Sequence, residues 1–175
     1  MTAVETVTIR RATVADAPGI ITVLDTVAGE DLMLADPGSR TVAQEHQVLA
    51  QSPPWMATWV CAVTTATGMS IVGTSEALQG QTAKTQGVVT VSLALLPTAR
   101  GCGWGRQLME AMEAWAIERH ARKISLLCLS HNHAAMAFYD HLGYQEEARL
   151  RAHYYVGARW VDVVWWTRWL SPAQP

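Results

Sequence analysis

The sequence predicts an α+β fold: a central mixed, mostly antiparallel sheet with one parallel β-α-β unit and flanking helices. The first observation behind this prediction is the order of the segments, β-α-α-β-β-β-α-β-α-β-β, given by alternating, continuously apolar and amphipathic stretches. The second is the helical segment that joins the apolar strands at 88–96 and 123–129. A crossover helix of this kind connects neighbouring parallel strands.

The first half of the chain is predicted to contain two helices and three strands. The helix at 41–50 carries Val42, His46 and Leu49 along one stripe, which predicts that this side faces the core. In chain order these elements are a strand at 7–11, helices at 17–27 and 41–50, and strands at 58–63 and 70–78 that form a hairpin around Gly68.

The second half alternates strands and helices before a final hairpin. The strand at 88–96 is apolar almost throughout, as expected of a strand buried on both faces. The elements after it are a helix at about 107–119, a strand at 123–129, a helix at 132–142 that ends at Gly143, and strands at 147–155 and 159–169.

Composition and charge indicate one globular domain spanning residues 1–175. Half of the residues are apolar, 16% are charged and the net charge is −2, so neither nucleic acid nor a membrane surface is an expected partner. The chain shows no signal-peptide pattern and no apolar run long enough to span a bilayer. Cys61, Cys102 and Cys128 lack CxxC spacing and are expected to be reduced thiols, which predicts a cytoplasmic location.

A glycine-rich turn after the strand at 88–96 is the strongest functional signal. Arg100, Gly101, Gly103 and Gly105 form an R-G-x-G-x-G run between that strand and the next helix. Glycines let backbone N–H groups approach an anion closely, and a helix N-terminus adds partial positive charge. The turn therefore predicts a phosphate-binding site; the alternative is a turn that is merely tight.

Two common phosphate motifs do not fit this turn. The dinucleotide fingerprint G-x-G-x-x-G would need a third glycine where Arg106 stands, and it usually follows the first strand. The P-loop needs a lysine after its last glycine, and none follows Gly105. The spacing therefore disfavours a nucleotide-dependent oxidoreductase and a P-loop protein.

The turn resembles that of the GNAT family, the Gcn5-related N-acetyltransferases, whose pattern [R/Q]-x-x-G-x-[G/A] matches Arg100, Gly103 and Gly105. The resemblance implies acetyl-CoA as co-substrate. It also implies a bulge that splays the preceding strand from the next one, with the pantetheine arm lying between them. The implied cofactor-binding residues are Leu93, Ala94 and Leu95 for the pantetheine arm, and Arg100, Gly101, Cys102, Gly103, Trp104, Gly105 and Arg106 for the turn that holds the pyrophosphate.

Residues 132–144 resemble a second block of the same family, N-x-x-A-x-x-[FL]-Y-x-x-x-G-[FY]. Asn132 and Tyr139 are seven residues apart and so share one face of the predicted helix. The resemblance implies that Asn132 contacts the cofactor and that Tyr139 protonates the departing CoA thiolate. A phenol is protonated at neutral pH, as a general acid must be. The alternative for Tyr139 is a core aromatic whose hydroxyl is tied to the backbone.

The general base is the point where the chain departs from the family pattern. Many members carry a glutamate seven residues before the position of Pro97, and here that residue is Thr90, which cannot act as a base at neutral pH. Glu76 lies inside an apolar strand, where a carboxylate must be ion-paired or face a cavity, and it is the predicted base. His131, beside Asn132, is the second candidate.

An acidic loop precedes the second helix. Glu30, Asp31 and Asp36 lie in the segment that covers the acceptor site in the family, where they would either attract a cationic amine or form a solvated surface. His131 and His133 lack a third ligand, so no metal site is predicted.

The main hypothesis is acetyl transfer from acetyl-CoA to a primary amine by direct attack, with a small molecule or a peptide as acceptor. The tail at 154–166 resembles the phosphinothricin-acetyltransferase-like subgroup, which implies a small amine. The alternative is a non-catalytic acyl-CoA-binding domain on the same fold, which Thr90 keeps open. The family resemblance also suggests a homodimer, with the Trp-rich last strand as its contact.

Overall fold

The computed structural model describes residues 6–170, in which seven strands form one mixed sheet flanked by four helices. No helix in this range is both long and apolar enough to cross a membrane. The strands are β1 (Thr6–Arg11), β2 (Met56–Thr65), β3 (Gly68–Gln79), β4 (Val88–Leu95), β5 (Lys123–Leu129), β6 (Gln145–Val156) and β7 (Arg159–Trp169), and the helices are α1 (Ala17–Ala28), α2 (Val42–Ala50), α3 (Trp104–Glu118) and α4 (His133–His141).

The sheet has the strand order β1-β2-β3-β4-β5-β7-β6. Its one parallel pair is β4 with β5, and the other neighbouring strands within the described residues are antiparallel. The crossover between the parallel strands runs through α3, as the sequence predicts. The predicted α+β class and its single β-α-β unit are therefore confirmed.

Helices cover both faces of the sheet, and β4 contributes to both layers. Val89 and Val91 are buried in the cluster that includes Leu108 and Met112 of α3. Ala94 points to the opposite face, where it packs with Val23 and other residues of α1. Side chains alternate along a strand, so β4 presents one row of residues to each helical layer.

The parallel pair β4–β5 opens soon after it begins. Its register runs only from Val88 opposite Lys123 to Thr90 opposite Ser125, and the two strands are not paired farther along. The expected splay is therefore present, but the expected bulge in β4 is wrong. The pairing of β4 with β3 is continuous along its length. In the neighbouring β2–β3 pair, Cys61 lies opposite Gly73 and Ala62 opposite Ile71, so the extra residue at that register shift is Val72 of β3.

Two local predictions differ from the structure. The helix α3 begins at Trp104 rather than Gln107, directly after the left-handed Gly103. The predicted buried stripe of α2 is also wrong, because Val42 is exposed and the buried residue of this helix is Glu45. A carboxylate takes the inward position because it is paired with an arginine, as described below.

Candidate active site

A cavity of about 300 Å³ lies at the gap between β4 and β5. It is lined from both faces of the sheet, since Ser92 and Ala94 border it from one side of β4 and Val91 and Leu93 from the other. Tyr139 of α4 lines it on the side of α3, and the loop between α1 and α2 lines it on the opposite side. One cavity thus connects the two faces where neighbouring strands are unpaired.

The glycine turn ends in the N-terminus of α3 with its backbone open to solvent. Gly101 and Gly103 have φ values of 75° and 81°, a conformation that L side chains rarely adopt. Gly103 occupies the N-cap position, and no side chain caps this helix. Since the first amides of a helix lack intrahelical acceptors, the backbone here offers uncapped N–H donors to an anion.

Gly105 meets a second requirement, because it is the point at which α3 packs closely against the wall of the gap. A Cβ at this position would lie 3.1 Å from Leu95 and 3.3 Å from Phe138. The glycine therefore lets the first turn of α3 approach both β4 and α4. This contact fixes the N-terminal end of α3 beside the opening of the sheet.

Arg100 connects the glycine turn to the loop after α1. Its Nε donates to the carbonyl of Leu95 at 3.1 Å, and its guanidinium forms an ion pair with Glu30 at 2.5 Å. Glu30 is thus a partner of the turn rather than a residue of the cavity lining. The carbonyl of Leu95, at the predicted pantetheine position, is occupied by this arginine.

Asn132 and His131 hold the same loop from the β5 side. Asn132 caps α4, with its Oδ1 accepting from the backbone of Ala135 at 3.1 Å, and its Nδ2 donates to the carbonyl of Leu32 at 3.2 Å. His131 Nε2 donates to the carbonyl of Asp31 at 2.7 Å. Asn132 lines the cavity and His131 does not, so the second candidate base lies outside it.

Tyr139 contributes a buried phenol to the cavity. Its ring packs between Phe138 and Tyr144, and no hydrogen bond ties its hydroxyl to another described residue. Burial, with Cys128 close by, raises the pKa of Tyr139 above its usual value. Burial also raises the pKa of Cys128 to about 11, so both groups are protonated at neutral pH.

Glu76 lies at the centre of a polar row that crosses three strands. It is directly opposite Thr58 of β2 and Ser92 of β4, and all three side chains line the cavity. The hydroxyl of Thr58 is buried and has no hydrogen-bond partner among the described residues. Thr90 lies two residues before Ser92 in β4. Its hydroxyl is 3.4 Å from the Ser125 hydroxyl, and it does not line the cavity.

Arg40 and Glu45 are site residues that sequence reasoning missed. Arg40 Nη1 donates to Glu45 Oε2 at 2.7 Å and lies 3.9 Å from Glu76 Oε2. Burial raises the pKa of Glu76, an effect that Arg40 opposes and Glu45 reinforces. The available signal was a lone glutamate in the first turn of a short helix five residues after an arginine, which is too common to identify a site.

The structure brings most of the predicted site residues to one region. Glu76, Leu93, Ala94, Asn132 and Tyr139 line the cavity, together with Asp36 of the acidic loop. Leu95 and residues 100–106 do not line the cavity; the glycine turn contacts Leu95, which directly follows the lining residue Ala94 in β4. The three acidic residues of the loop have different surroundings. Glu30 pairs with Arg100 of the turn, the carbonyl of Asp31 accepts from His131, and of these three only Asp36 lines the cavity.

The class of protein follows from comparison with known families. The model of the acetyltransferase (GNAT) family matches residues 30–144, a range that contains the glycine turn, Glu76 and Tyr139. The chain belongs to the GNAT family, whose enzymes use acetyl-CoA as co-substrate. This membership supports an acetyltransferase rather than the alternative of a binding domain without activity.

Solved structures share the fold at low sequence identity. A GNAT-family acetyltransferase from Streptococcus pneumoniae superposes with a TM-score of 0.82 at 20% identity, covering 94% of this chain and 99% of that one. A protein from Salmonella typhimurium, solved with its cofactor acetyl-CoA, gives 0.81 at 18% identity and covers 97% of both chains. A phosphinothricin acetyltransferase from Sinorhizobium meliloti in complex with acetyl-CoA gives 0.81 at 19%, covering 97% of this chain and 89% of that one. No curated protein sequence matches the chain.

Proposed function

We propose that this protein transfers the acetyl group of acetyl-CoA to a small primary amine by direct attack. The observation that carries the proposal is the cavity at the β4–β5 gap, which reaches Tyr139 on one face of the sheet and Glu76 on the other. A thioester in the gap would be accessible to an amine entering from the α1–α2 loop. The volume of about 300 Å³ favours a small acceptor.

The glycine turn and β4 fit the cofactor without rearrangement of the backbone. Residues 101–106 supply the uncapped amides of α3 for the pyrophosphate, and Leu93, Ala94 and Leu95 provide the strand edge for the pantetheine arm. Arg100 would leave Glu30 and the carbonyl of Leu95 to meet the added negative charge. The two neighbours solved with acetyl-CoA support the choice of this co-substrate.

Glu76 is the proposed general base. An alkylammonium has a pKa near that of lysine, about 10.4, so the acceptor must lose a proton before it attacks. Burial raises the pKa of Glu76 and makes it a stronger base, while Ser92 lies one strand closer to the gap in the same row. The unpartnered hydroxyl of Thr58 beside Glu76 is suited to hold a water molecule that relays the proton.

Tyr139 is the proposed acid for the departing thiolate. Its pKa is raised by burial, so it is always protonated in the resting site and can donate a hydrogen bond as charge develops on sulfur. Cys128 lines the same cavity, but its raised pKa keeps it a neutral thiol. A neutral thiol is a weak nucleophile, which favours direct attack over an acetyl-cysteine intermediate.

Three broader predictions accompany this proposal. We propose one acetyltransferase domain over residues 1–175, supported by a single sheet that runs from Thr6 to Trp169. A cytoplasmic location is supported by the three free thiols. A homodimer is supported by the exposed edge strand β6 and by the exposed Trp160, which packs on Tyr155 with ring centroids 5.3 Å apart.

The test is thiol release from acetyl-CoA across a panel of small primary amines. Wild-type protein should release thiol with at least one amine, and Glu76→Gln should lower kcat/KM about 100-fold at neutral pH. The loss should shrink at high pH, where the free amine is abundant. Glu110→Gln, which removes an exposed carboxylate of α3, is the matched control and should behave as wild type. Absence of thiol release with every amine would contradict the proposed function.

A further inference from the structure

Arg40 lies between two carboxylates at the wall of the cavity. Its Nη1 is 2.7 Å from Glu45 Oε2 and 3.9 Å from Glu76 Oε2. The three residues come from different elements, since Arg40 ends the α1–α2 loop, Glu45 lies in the first turn of α2 and Glu76 is in β3. All three line the cavity, so the arrangement belongs to the acceptor side of the site.

Glu45 is buried more completely than an ion pair that only anchors the loop to α2 would require. It is 1% exposed, although a carboxylate is costly to remove from water unless it is paired. A pair that only anchored the loop to α2 could lie at the surface, like the ion pair of Arg149 with Glu146. Here the buried carboxylate holds a guanidinium that remains partly open to the cavity and close to a second carboxylate.

The 3.9 Å separation between Arg40 and Glu76 has two consequences for the Glu76 carboxylate. At 3.9 Å the positive charge of Arg40 opposes the effect of burial and favours the ionised form of Glu76. The separation is also longer than a hydrogen bond, so the Glu76 carboxylate is not occupied by the guanidinium. Without Glu45, Arg40 would be free to close on Glu76 and bind it as a direct pair.

We propose that Glu45 and Arg40 are positioning residues for Glu76: Glu45 holds the guanidinium near enough to keep Glu76 charged, yet too far to occupy it. The inference rests on the proposed role of Glu76 as the base. Arg40 and Glu45 are the charged groups that act on Glu76 most directly. The other titratable side chains that line the cavity are Asp25 of α1, Asp36 of the loop, Cys128 of β5 and Tyr139 of α4.

The test compares two single variants by the acidic limb of the pH profile of kcat/KM. Arg40→Gln removes the cation, so Glu76 should hold its proton to higher pH and the limb should move up by about one pH unit. Glu45→Gln releases Arg40 onto Glu76, so the limb should move down by about one unit, with a lower plateau of kcat. Opposite shifts show that both charges act on Glu76, as their Coulomb effects require. The lower plateau of kcat in Glu45→Gln is the signature of positioning, because loss of the Glu45 charge alone would move the limb without occupying the Glu76 carboxylate. An unchanged plateau would contradict the positioning role.

Two further variants provide controls. Arg40→Lys keeps a positive charge and should leave the limb closer to wild type than Arg40→Gln does. The double variant Arg40→Met/Glu45→Gln removes both partners of the buried ion pair together, so neither is left without the other and the variant remains informative where a single variant fails to fold. Its limb should lie above that of Glu45→Gln.

A carbon-13 NMR titration of the Glu76 carboxyl in the free protein measures the same effect without turnover. Opposite displacements of its midpoint in Arg40→Gln and Glu45→Gln are expected. Unchanged midpoints, or displacements in the same direction, would overturn the inference and leave a structural ion pair. If no amine releases thiol, the proposed function fails, and the NMR titration still decides whether Glu45 and Arg40 control Glu76.

Discussion

Glu76 and Tyr139 approach the same cavity from opposite faces of the sheet, Glu76 half-buried and Tyr139 buried, and the loss of water raises the pKa of both side chains. Burial makes the Glu76 carboxylate a stronger base, whereas it keeps the Tyr139 phenol protonated. Both environments follow from positions beside the β4–β5 gap. The proposed proton acceptor and proton donor are therefore separated by the gap in which the thioester would lie.

Replacing Tyr139 with phenylalanine tests the role of its hydroxyl. The ring packing against Phe138 and Tyr144 remains, while the hydrogen bond to the departing sulfur is lost. We expect kcat to fall about 100-fold, with the dissociation constant of acetyl-CoA nearly unchanged. Steady-state thiol release and calorimetric titration measure the two quantities. Tyr155→Phe removes an exposed hydroxyl and serves as control; equal rates in wild type and Tyr139→Phe would exclude the acid role.

Some residues of the cavity could be identified from the sequence and others could not. Glu76 and Tyr139 could be singled out because a charge inside an apolar strand and a tyrosine in a family motif are unusual. Glu45 could not, because its helix has only nine residues and its inward face meets a cavity rather than apolar core. Helical periodicity then predicted the wrong buried side for α2.

At the level of elements, the glycine turn and α3 act as one unit. The left-handed Gly103 places the N-terminus of α3 directly after the turn, and Gly105 lets the helix pack against β4. The sequence predicted the turn and the helix, but it placed the helix start three residues late. Glycines at positions 103 and 105 favour a loop in the sequence. In the structure Gly105 is helical, because the first turn of α3 packs closely against Leu95 and Phe138.

Gly103→Ala tests whether this backbone binds the cofactor. Gly143 at the end of α4 has nearly the same φ, 82° against 81°, and a Cβ at either position meets open space. Both alanine variants should therefore lose about 1 kcal/mol of stability. Only Gly103→Ala should weaken acetyl-CoA binding, by about tenfold, because it redirects amides that face the anion. Equal affinity losses in the two variants, measured by calorimetry, would contradict this assignment.

The α1–α2 loop is the element that sequence analysis described least well. It is tied to the glycine turn by Glu30, to the end of β5 through the carbonyls of Asp31 and Leu32, and to α2 by Arg40. These contacts join residues up to 100 positions apart. No local pattern encodes them, which is why the acidic residues could be noted but not assigned to partners.

For the whole molecule, the order of elements and the parallel pair were predictable because a crossover helix constrains its two strands. The placement of β7 between β5 and β6 was not, since a hairpin alone does not say which of its strands joins the sheet. The splay at the gap was expected from family resemblance. The structure shows that it occurs without a bulge in β4.

Global stability at low pH should depend on Asp16, which is buried against Arg10 at the start of α1. Their hydrogen bonds lower the pKa of Asp16 from its ordinary value of 3.8 to about 2. A lowered pKa stabilises the folded state above the unfolded pKa, and this stability is lost as the pH falls from about 4 to about 2. Asp16→Asn should lower the free energy of unfolding by about 1–2 kcal/mol at neutral pH and flatten its slope over that interval.

Urea unfolding at several pH values measures this contribution. Asp140→Asn, an exposed carboxylate on α4, is the control and should leave the stability within about 0.5 kcal/mol of wild type. A steep loss of stability between pH 4 and pH 2 that survives in Asp16→Asn would assign the acid sensitivity to other groups.

A crystal structure with acetyl-CoA would show whether one cavity through the sheet joins the cofactor to the acceptor. We expect the pyrophosphate on residues 101–106 and the thioester in the β4–β5 gap, with its sulfur within hydrogen-bond distance of the Tyr139 hydroxyl. Acetyl-CoA bound away from the glycine turn, or a thioester outside the gap, would contradict it.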